Sequence, residues 1–445
     1  MAAGVFAPGH LGELTRVVPF ELVDAVLEEA GGRERRLRLL PSRAGVYFLL
    51  AMCLFPDAAY PGVWGKLTAT LGGMGLASPT RKALRDLRRR VGIAPLKLLF
   101  EVLAGPPGQP RTPGIMFGRY RTVAFDGCKS IKVPDTDRNR AWLGKLKASL
   151  GETGYPVIQL MTLVETGTRS LLGAVFGSTA TGEQDWAREL LHLLDETMLV
   201  LMDRGFDAGG FLAEVAGTKA QFLVRGTATR RPPVLRHLPD GSFISLIGGV
   251  KVRIIEAAVT VTCHDGTRYG GTYRFATTLL DHRACPAHAL IALYHERWEH
   301  EITYLALRHT LLGGRVLRSG DPAGLEQEMW ALLTVYQALR TASFSRSVAC
   351  GVPAPRRRLR AGTPSSPITR SALSSYPASS APAASRWACR SRSVNPAAVA
   401  GSPAPVQNPS SRGSQSSQGR RFARQSAYSP APVIAMSPVR SSSAR

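Results

Sequence analysis

Three things are scarce in this 445-residue chain. Acidic residues stop at Glu328: beyond it there is no Asp, Glu or Lys, and arginine is the only charged residue. Cysteine is thinly spread. Cys53, Cys128, Cys263, Cys285, Cys350 and Cys389 stand singly with no Cys-x-x-Cys pair, which argues against a disulfide framework and fits reduced thiols in a cytoplasmic protein. Long apolar runs are also missing. The longest, AGVYFLLAMCLF at 44–55, falls short of the roughly 20 residues that a bilayer-crossing helix needs. The start, MAAGVFAPGHLGEL, has no basic region followed by an apolar one, so the reading is of a protein that neither crosses a membrane nor is exported.

What is present is an ordinary globular body joined to an unusual end. Hydrophobic residues make up 44% of the chain, enough for a substantial core in two or three domains. Of the net charge of +24, sixteen units come from arginines beyond Glu328, so residues 1–328 carry only +8. A body at +8 leans towards a polyanionic partner, although a solvated basic surface gives the same number. Residues 11–103 read as helical, because LGELTRVVPFELVDAVLEEAG, SRAGVYFLLAMCLF and RKALRDLRRRVG space their apolar residues by three and four. Gly and Pro at 105–114 mark a linker. RTVAFDGCKSIKV then reads as a hairpin or strand pair with Asp126 at its turn. WARELLHLLDETMLVLMDRGF reads as a helix and then an apolar strand ending on Asp203. Between 219 and 280, AQFLVRG, GVKVRIIEAAVTVT and YRFATTLL are strand-like. A long helix surrounds Glu301, and LEQEMWALLTVYQALR forms another apolar helix. The class is α/β.

From about residue 346, Ser, Pro, Ala and Arg dominate. Such a segment buries too little apolar surface to offset its ordering entropy, which predicts a disordered tail over 346–445. One reading is a basic arm for nucleic acid. The preferred one is a GC-rich coding sequence translated in the wrong frame, because a run without acids in which arginine is the only charge has that composition. Globular-like sequence in another frame downstream of codon 345 is the expected finding.

Three carboxylates, Asp126, Asp203 and Glu301, lie far apart in the sequence, each beside a rigid element. Phosphodiester chemistry needs such a set, since carboxylate oxygens are the natural ligands of Mg²⁺, which keeps sites for substrate oxygens. Two ions roughly 3.5 to 4 Å apart serve the attacking and leaving oxygens. In YHERWEHEITYLALRHT, an unbroken α-helix turning about 100° per residue puts Tyr294, Arg297, Glu301 and Arg308 on one face. The two guanidinium groups would hold phosphate oxygens and the phenol would add one hydrogen bond. RKALRDLRRR offers Arg81, Arg85, Arg88 and Arg89 to DNA phosphates. Each reading has a plain alternative. An aspartate closing a strand is commonly a turn residue, Glu301 can be half of a surface ion pair with Arg297 or Arg308, and an arginine-rich helix can be merely solvated. DHRACPAHALIALYHERWEH gathers His282, Cys285, His288, His295 and His300, at spacings that fit no usual zinc set.

The text from YHERWEHEITYLALRHTLLGG to TVYQALR resembles the C-terminal signature of DDE transposases of the insertion-sequence-four family, in which Tyr, Arg, Glu and Lys recur at fixed intervals. Tyr294, Arg297 and Glu301 match, and Arg308 stands where the family usually has lysine. AFDGCKSIKVPDTDRNRAWLG resembles the family's first-aspartate region and VLMDRGF its second. The stretch from GELTRVVPFELVDAVLEEAG to YPGVWGKL is similar to its N-terminal helical domain. The resemblance implies a ribonuclease H-like catalytic core with a β-rich insertion. It divides the chain into a helical DNA-end-binding domain at 1–105, a catalytic domain at 106–345 with its insertion at about 206–285, and the tail at 346–445. It also implies two Mg²⁺ ions, with Mn²⁺ as the alternative, held by Asp126, Asp203 and Glu301. The implied reaction is cleavage at transposon ends and strand transfer by a cut-and-paste route. The implied partners are double-stranded DNA and a second copy of the chain on paired ends, in the cytoplasm at the nucleoid. Two competing readings are a decayed transposase that binds DNA without cutting it and a ribonuclease H-fold metal nuclease. The first would hold if a lost C-terminal segment left the helix from 321 to 340 with an exposed apolar face.

Overall fold

In the computed structural model the described residues are 15–349, apart from 16, 33, 35–37, 70–77, 113, 149–150, 153, 228 and 263–267, together with the strand Val433–Pro438. Of residues 147–148, 151–152, 259–262, 268–270, 295, 298–301, 345–349 and 433–438 only the backbone is described. The tail reading for 346–445 therefore lies mostly outside the described residues. Of the described residues, 259–262, 268–271 and 433–436 fall in a small second unit, and the others in the unit that carries the helices and most of the sheet.

Among the described residues, α1 (Phe20–Glu29), α2 (Ser42–Leu54), α3 (Tyr60–Thr68), α4 (Arg81–Val91) and α5 (Ala94–Leu103) precede the sheet. The apolar run at 44–55 is α2, buried along almost its whole length among the others. Arg318, from much later in the chain, donates to the carbonyls of Phe55 (2.8 Å) and Ala58 (2.7 Å) and so closes the C-terminal end of α2 with a cation, where the helix dipole favours one.

The sheet comes next in the chain. Its strands are β1 (Met116–Phe117), β2 (Tyr120–Lys132), β5 (Val157–Glu165), β6 (Leu171–Gly177), β7 (Met198–Met202), β8 (Gln221–Arg225), β9 (Arg236–His237), β10 (Phe243–Ile247), β11 (Val250–Thr262) and β12 (Arg268–Thr277); after β2 come the short helix α6 (Asp137–Leu143) and the separate pair β3 (Lys147–Ala148) and β4 (Gly151–Glu152). Spatial order along the main path is β6-β5-β2-β7-β8-β12-β11-β10-β9. β2 runs parallel to β7, β7 parallel to β8, and β5 antiparallel to both β2 and β6. Two antiparallel strands feeding three parallel ones, in that order, are the ribonuclease H-like arrangement. The stretch from 206 to 285 is of two kinds: α8 (Gly209–Gly217) and β8 complete the central five strands, while β9 to β12 extend the sheet beyond them.

Every residue of β5 is buried, so it carries no polar-apolar alternation. Its side chains divide by the pleat. Ile158, Leu160 and Val164 join the core formed with α1–α5 and the last helix, α11 (Pro322–Ala349), while Met161 and Leu163 join a second core with Phe206, Phe211, Leu212 and Val215. Helices thus cover both faces, α7 (Glu183–Arg188) and α8 lying on the second. α11 binds the layers together. Its Gln337 accepts from the N–H of Leu171 in β6 and donates to the carbonyls of Leu103 and Gly105 after α5. The exposed apolar face anticipated for 321–340 does not arise: Leu325, Met329, Leu332, Leu333, Val335 and Tyr336 are all buried.

Two local expectations change. RTVAFDGCKSIKV is one continuous strand, not a hairpin, and Asp126-Gly127 lies in its middle, paired with Thr162 and Met161; the glycine serves close packing, not a turn. A Cβ there would sit 3.2 Å from both the Glu183 side chain and Met161 Cε. The helix around Glu301 is also not one helix. α9 (Ala287–Tyr294) gives way to a 3₁₀ turn (His295–Arg297), α10 (Trp298–Leu305) and a π-helical stretch (Ala306–Leu311). A 3₁₀ turn advances about 120° per residue and a π stretch winds more loosely, so the 100° phase does not carry through from Tyr294 to Arg308.

Candidate active site

The sheet register brings the two aspartates together. Ala124 pairs with Leu201 in the parallel β2–β7 ladder, and two residues further along each strand are Asp126 and Asp203. Asp203 is still extended (φ −82°, ψ −178°), so the two acids stand two residues beyond the last paired rung of neighbouring strands, on the same face of the sheet. Immediately after it the chain turns. Asp203 Oδ1 accepts from Gly205 N–H (2.7 Å), and Phe206 plugs the turn into the core against Phe125 and Phe211. VLMDRGF is therefore a strand end, an acid held by its own turn, and an aromatic anchor.

Asp126 is half-buried. Its Oδ1 accepts from the adjacent Gly127 N–H (3.0 Å), and its Oδ2 lies 3.8 Å from Arg297 Nη1, a loose ion pair closed off from most solvent. Arg297 also stacks over the Tyr294 ring at 5.9 Å. Tyr294 itself is only 7% exposed and packs edge-on against Phe275 with ring centroids 4.9 Å apart. Burial pushes its phenol up to about 12, with Arg297 opposing and Asp203 adding. Tyr294, expected to face a phosphate, has its phenol enclosed beside Arg297 and Asp203. Arg308 donates through Nε to the Tyr304 carbonyl (3.4 Å), and its charge is felt by the buried Cys128 thiol, two residues along β2 from Asp126.

Glu301 lies on α10, whose backbone is described; its side chain falls outside the described residues. The seating of α10 is nonetheless defined. The hydroxyl of Tyr304, one turn after Glu301, donates to the main-chain carbonyl of Asp126 and sits 2.9 Å from Thr162 Oγ1 on β5. Among the described residues no group of three His, Cys, Asp or Glu side chains is arranged to hold a metal ion, His282, Cys285 and His288 included.

Two residues at the site carried no sequence signal. Glu183, the first residue of α7, lies over Gly127, reaches towards Gly205 and pairs with Lys129 (3.7 Å), which brings a further carboxylate to the rim beside both aspartates. Tyr304 is the other. Neither belongs to a recurrent spacing, and both come into place only through the sheet.

The arginines of α4 separate by face. Arg81, Arg85 and Arg89 are exposed. Arg88 is not available to DNA: it is 5% exposed, ion-paired with Glu328 (3.1 Å), and bonded to Gln327 Oε1 (3.1 Å), Ser319 (3.0 Å) and Tyr60. A buried guanidinium needs such a set of partners, which explains why this arginine is turned inward.

A ribonuclease H-like sheet with two acids level on its adjoining parallel strands defines a nucleic-acid phosphodiester enzyme. The sequence matches the insertion element 4 transposase N-terminal family over residues 8–101 and the transposase DDE domain over residues 118–338. The chain belongs to the insertion-sequence-four family of DDE transposases and is a DNA-cleaving and strand-transferring enzyme. It is similar to the transposase InsG for insertion sequence element IS4 of Escherichia coli (strain K12), 25% identical over 334 residues, which span 72% of this chain and 74% of that protein. Among solved structures it is similar to the piggyBac transposase in a synaptic complex with hairpin DNA, at 10% identity and a TM-score of 0.41, over 78% of this chain and 77% of that one.

Proposed function

We propose that this transposase cuts its element ends and joins them to target DNA at a centre made by Asp126, Asp203 and Glu301, working as a dimer on paired ends at the bacterial nucleoid. The observation that carries the assignment is the register that sets Asp126 level with Asp203. The donor set fits a hard divalent cation: two partly buried carboxylates at the end of adjoining strands, one oxygen of each oriented by a backbone N–H, and the nearby Arg297 guanidinium 3.8 Å from Asp126 Oδ2. Mg²⁺ is the expected ion, one or two per site, with Mn²⁺ as a substitute; when bound it supplies charge for the attacking and leaving oxygens. Asp126 and Asp203 would hold it, with Glu301 completing the set.

The chain's own groups define the rest. In cleavage, a water oxygen bonds to phosphorus, the bond from phosphorus to the 3′ oxygen breaks, and that oxygen leaves with a proton as a 3′-hydroxyl. In joining, this hydroxyl attacks a target phosphodiester and a second 3′ oxygen leaves. Arg297, held against Asp126, is poised to take charge developing on the phosphate. Arg308 keeps its Nη donors for a neighbouring phosphate, and Arg81, Arg85 and Arg89 meet the flanking DNA backbone from the outer face of α4.

The test is a labelled transposon-end duplex incubated with Mg²⁺ and either the natural chain or Asp203→Asn. Nicking by the natural chain, with a loss of at least about a hundredfold in the variant at unchanged thermal stability and DNA retention, is expected. Equal products from both proteins overturn the assignment.

A further inference from the structure

The segment carrying Glu301 enters through a 3₁₀ turn and leaves through a π stretch, so no regular helix sets its rotation from either end. The bonds that α10 makes to the sheet must do this instead. Tyr304 makes one to the strand bearing Asp126: its hydroxyl meets the Asp126 carbonyl and Thr162 Oγ1. Since the phenol donates its single proton to the carbonyl, the threonine hydroxyl donates to the phenol. The result is a chain of hydrogen bonds from β5 through α10 to β2. Tyr304 is fully enclosed, at 4% exposure, so water does not compete for either bond.

Geometry gives this bond a consequence beyond packing. Residues three apart on an α-helix lie one above the other, so Glu301 stands one turn, about 4.5 Å, from Tyr304 on the same side of α10. We infer that Tyr304 is a positioning residue for the cutting reaction: by tying α10 to the Asp126 backbone, its hydroxyl fixes the height and rotation at which Glu301 joins the two aspartates. The inference rests on the assignment of those three acids. It differs from an ordinary buried phenol in one respect: the hydroxyl acts on the assembly of the acidic set, not on the stability of the fold alone.

The experiment compares the natural chain, Asp203→Asn, Tyr304→Phe and Thr162→Val, each full length. Mn²⁺ binding is tracked by the electron paramagnetic resonance signal of the free ion, nicking of end DNA by gel, and folding by thermal melting. Tyr304→Phe keeps the ring and removes the bond. It is expected to weaken Mn²⁺ binding and slow nicking, each by about five- to tenfold, the size of one lost hydrogen bond, while the melting transition stays cooperative. Thr162→Val removes the donor that orients the phenol and is expected to shift both in the same direction by less. Should Tyr304→Phe fail to fold, Thr162→Val carries the test. Mn²⁺ affinity and nicking equal to the natural chain in a folded variant overturn the inference, even where Asp203→Asn abolishes nicking and so upholds the acidic set. A natural chain that binds Mn²⁺ without nicking fails the transposition reading, and the variants' Mn²⁺ affinities still decide the role of Tyr304. A natural chain that does neither overturns both.

Discussion

Asp126 and Asp203 are set by a sheet, Glu301 by a jointed helix, and the two supports differ in kind. β2 and β7 lie in the middle of the sheet with cores on both faces, and Phe125, Val200, Leu201 and Met202 are inaccessible to solvent. Shifting either aspartate by one residue would turn a whole row of these side chains to the wrong face, so its place is over-determined. The segment 287–311 changes helical type three times; Arg297 reaches the Asp126 carboxylate, Tyr304 reaches its carbonyl, and Leu307 and Leu311 pack in the core that also holds Cys128 and Ile131 of β2. One half of the proposed site is therefore set by the sheet register, while the placement of the other rests on the side-chain contacts of a segment whose helical phase is broken.

Substitutions in the two halves should consequently break different things. The largest effect is expected in the sheet. Phe125→Ala removes a ring packed between Phe206 and Phe211 at the residue before Asp126, and should cost about 3 to 5 kcal/mol of global stability, read as a lowered urea midpoint; cleavage should fall only as the folded fraction falls. The next effect is expected in the helical half with the opposite signature. Arg297→Met should slow nicking by about a hundredfold with little change in the midpoint, because it removes a charge and leaves the helices' apolar contacts in place. A midpoint drop as large as that of Phe125→Ala would show that the segment is as much a part of the core as the sheet, and the contrast would fall.

The same contrast explains how much could be read from the chain itself. Asp126 and Asp203 stand out because each directly follows a short apolar run, VAF and VLM, that has to be buried, and the recurrent Tyr, Arg and Glu spacing marks Glu301. The phase of that last segment was not legible: a 3₁₀ turn after Tyr294 and a π stretch after Leu305 leave no trace in an apolar pattern that still repeats at three and four. β5 and β6 went unmarked because a strand buried on both faces has no alternation. Reading Asp126-Gly127 as a turn took the usual meaning of the dipeptide, whereas the glycine makes room for Glu183, a residue from another element. Arg88 was grouped with its exposed neighbours since charge alone does not tell the inner face of a helix from the outer. Partners distant in the chain, Glu328 at 240 residues' separation foremost, show that this arginine belongs inside.

The smallest effect tests the jointed half by itself. Thr303, beside Tyr304 on α10, is wholly buried, and its Oγ1 lies 3.3 Å from the Tyr336 hydroxyl on α11. Thr303→Val keeps the shape and removes the hydroxyl, a change of about 1 kcal/mol. If α10 opens locally, its amides should exchange with solvent about fivefold faster in the variant, while those of β2 and β7 keep the natural rate, since their exchange waits on global unfolding. Hydrogen exchange measured by mass spectrometry separates the two sets. Equal acceleration in α10, β2 and β7 would mean that the helix comes away only when the whole protein does. The sheet and the helical segment would then be one cooperative unit, and the third acid would be held as firmly as the first two.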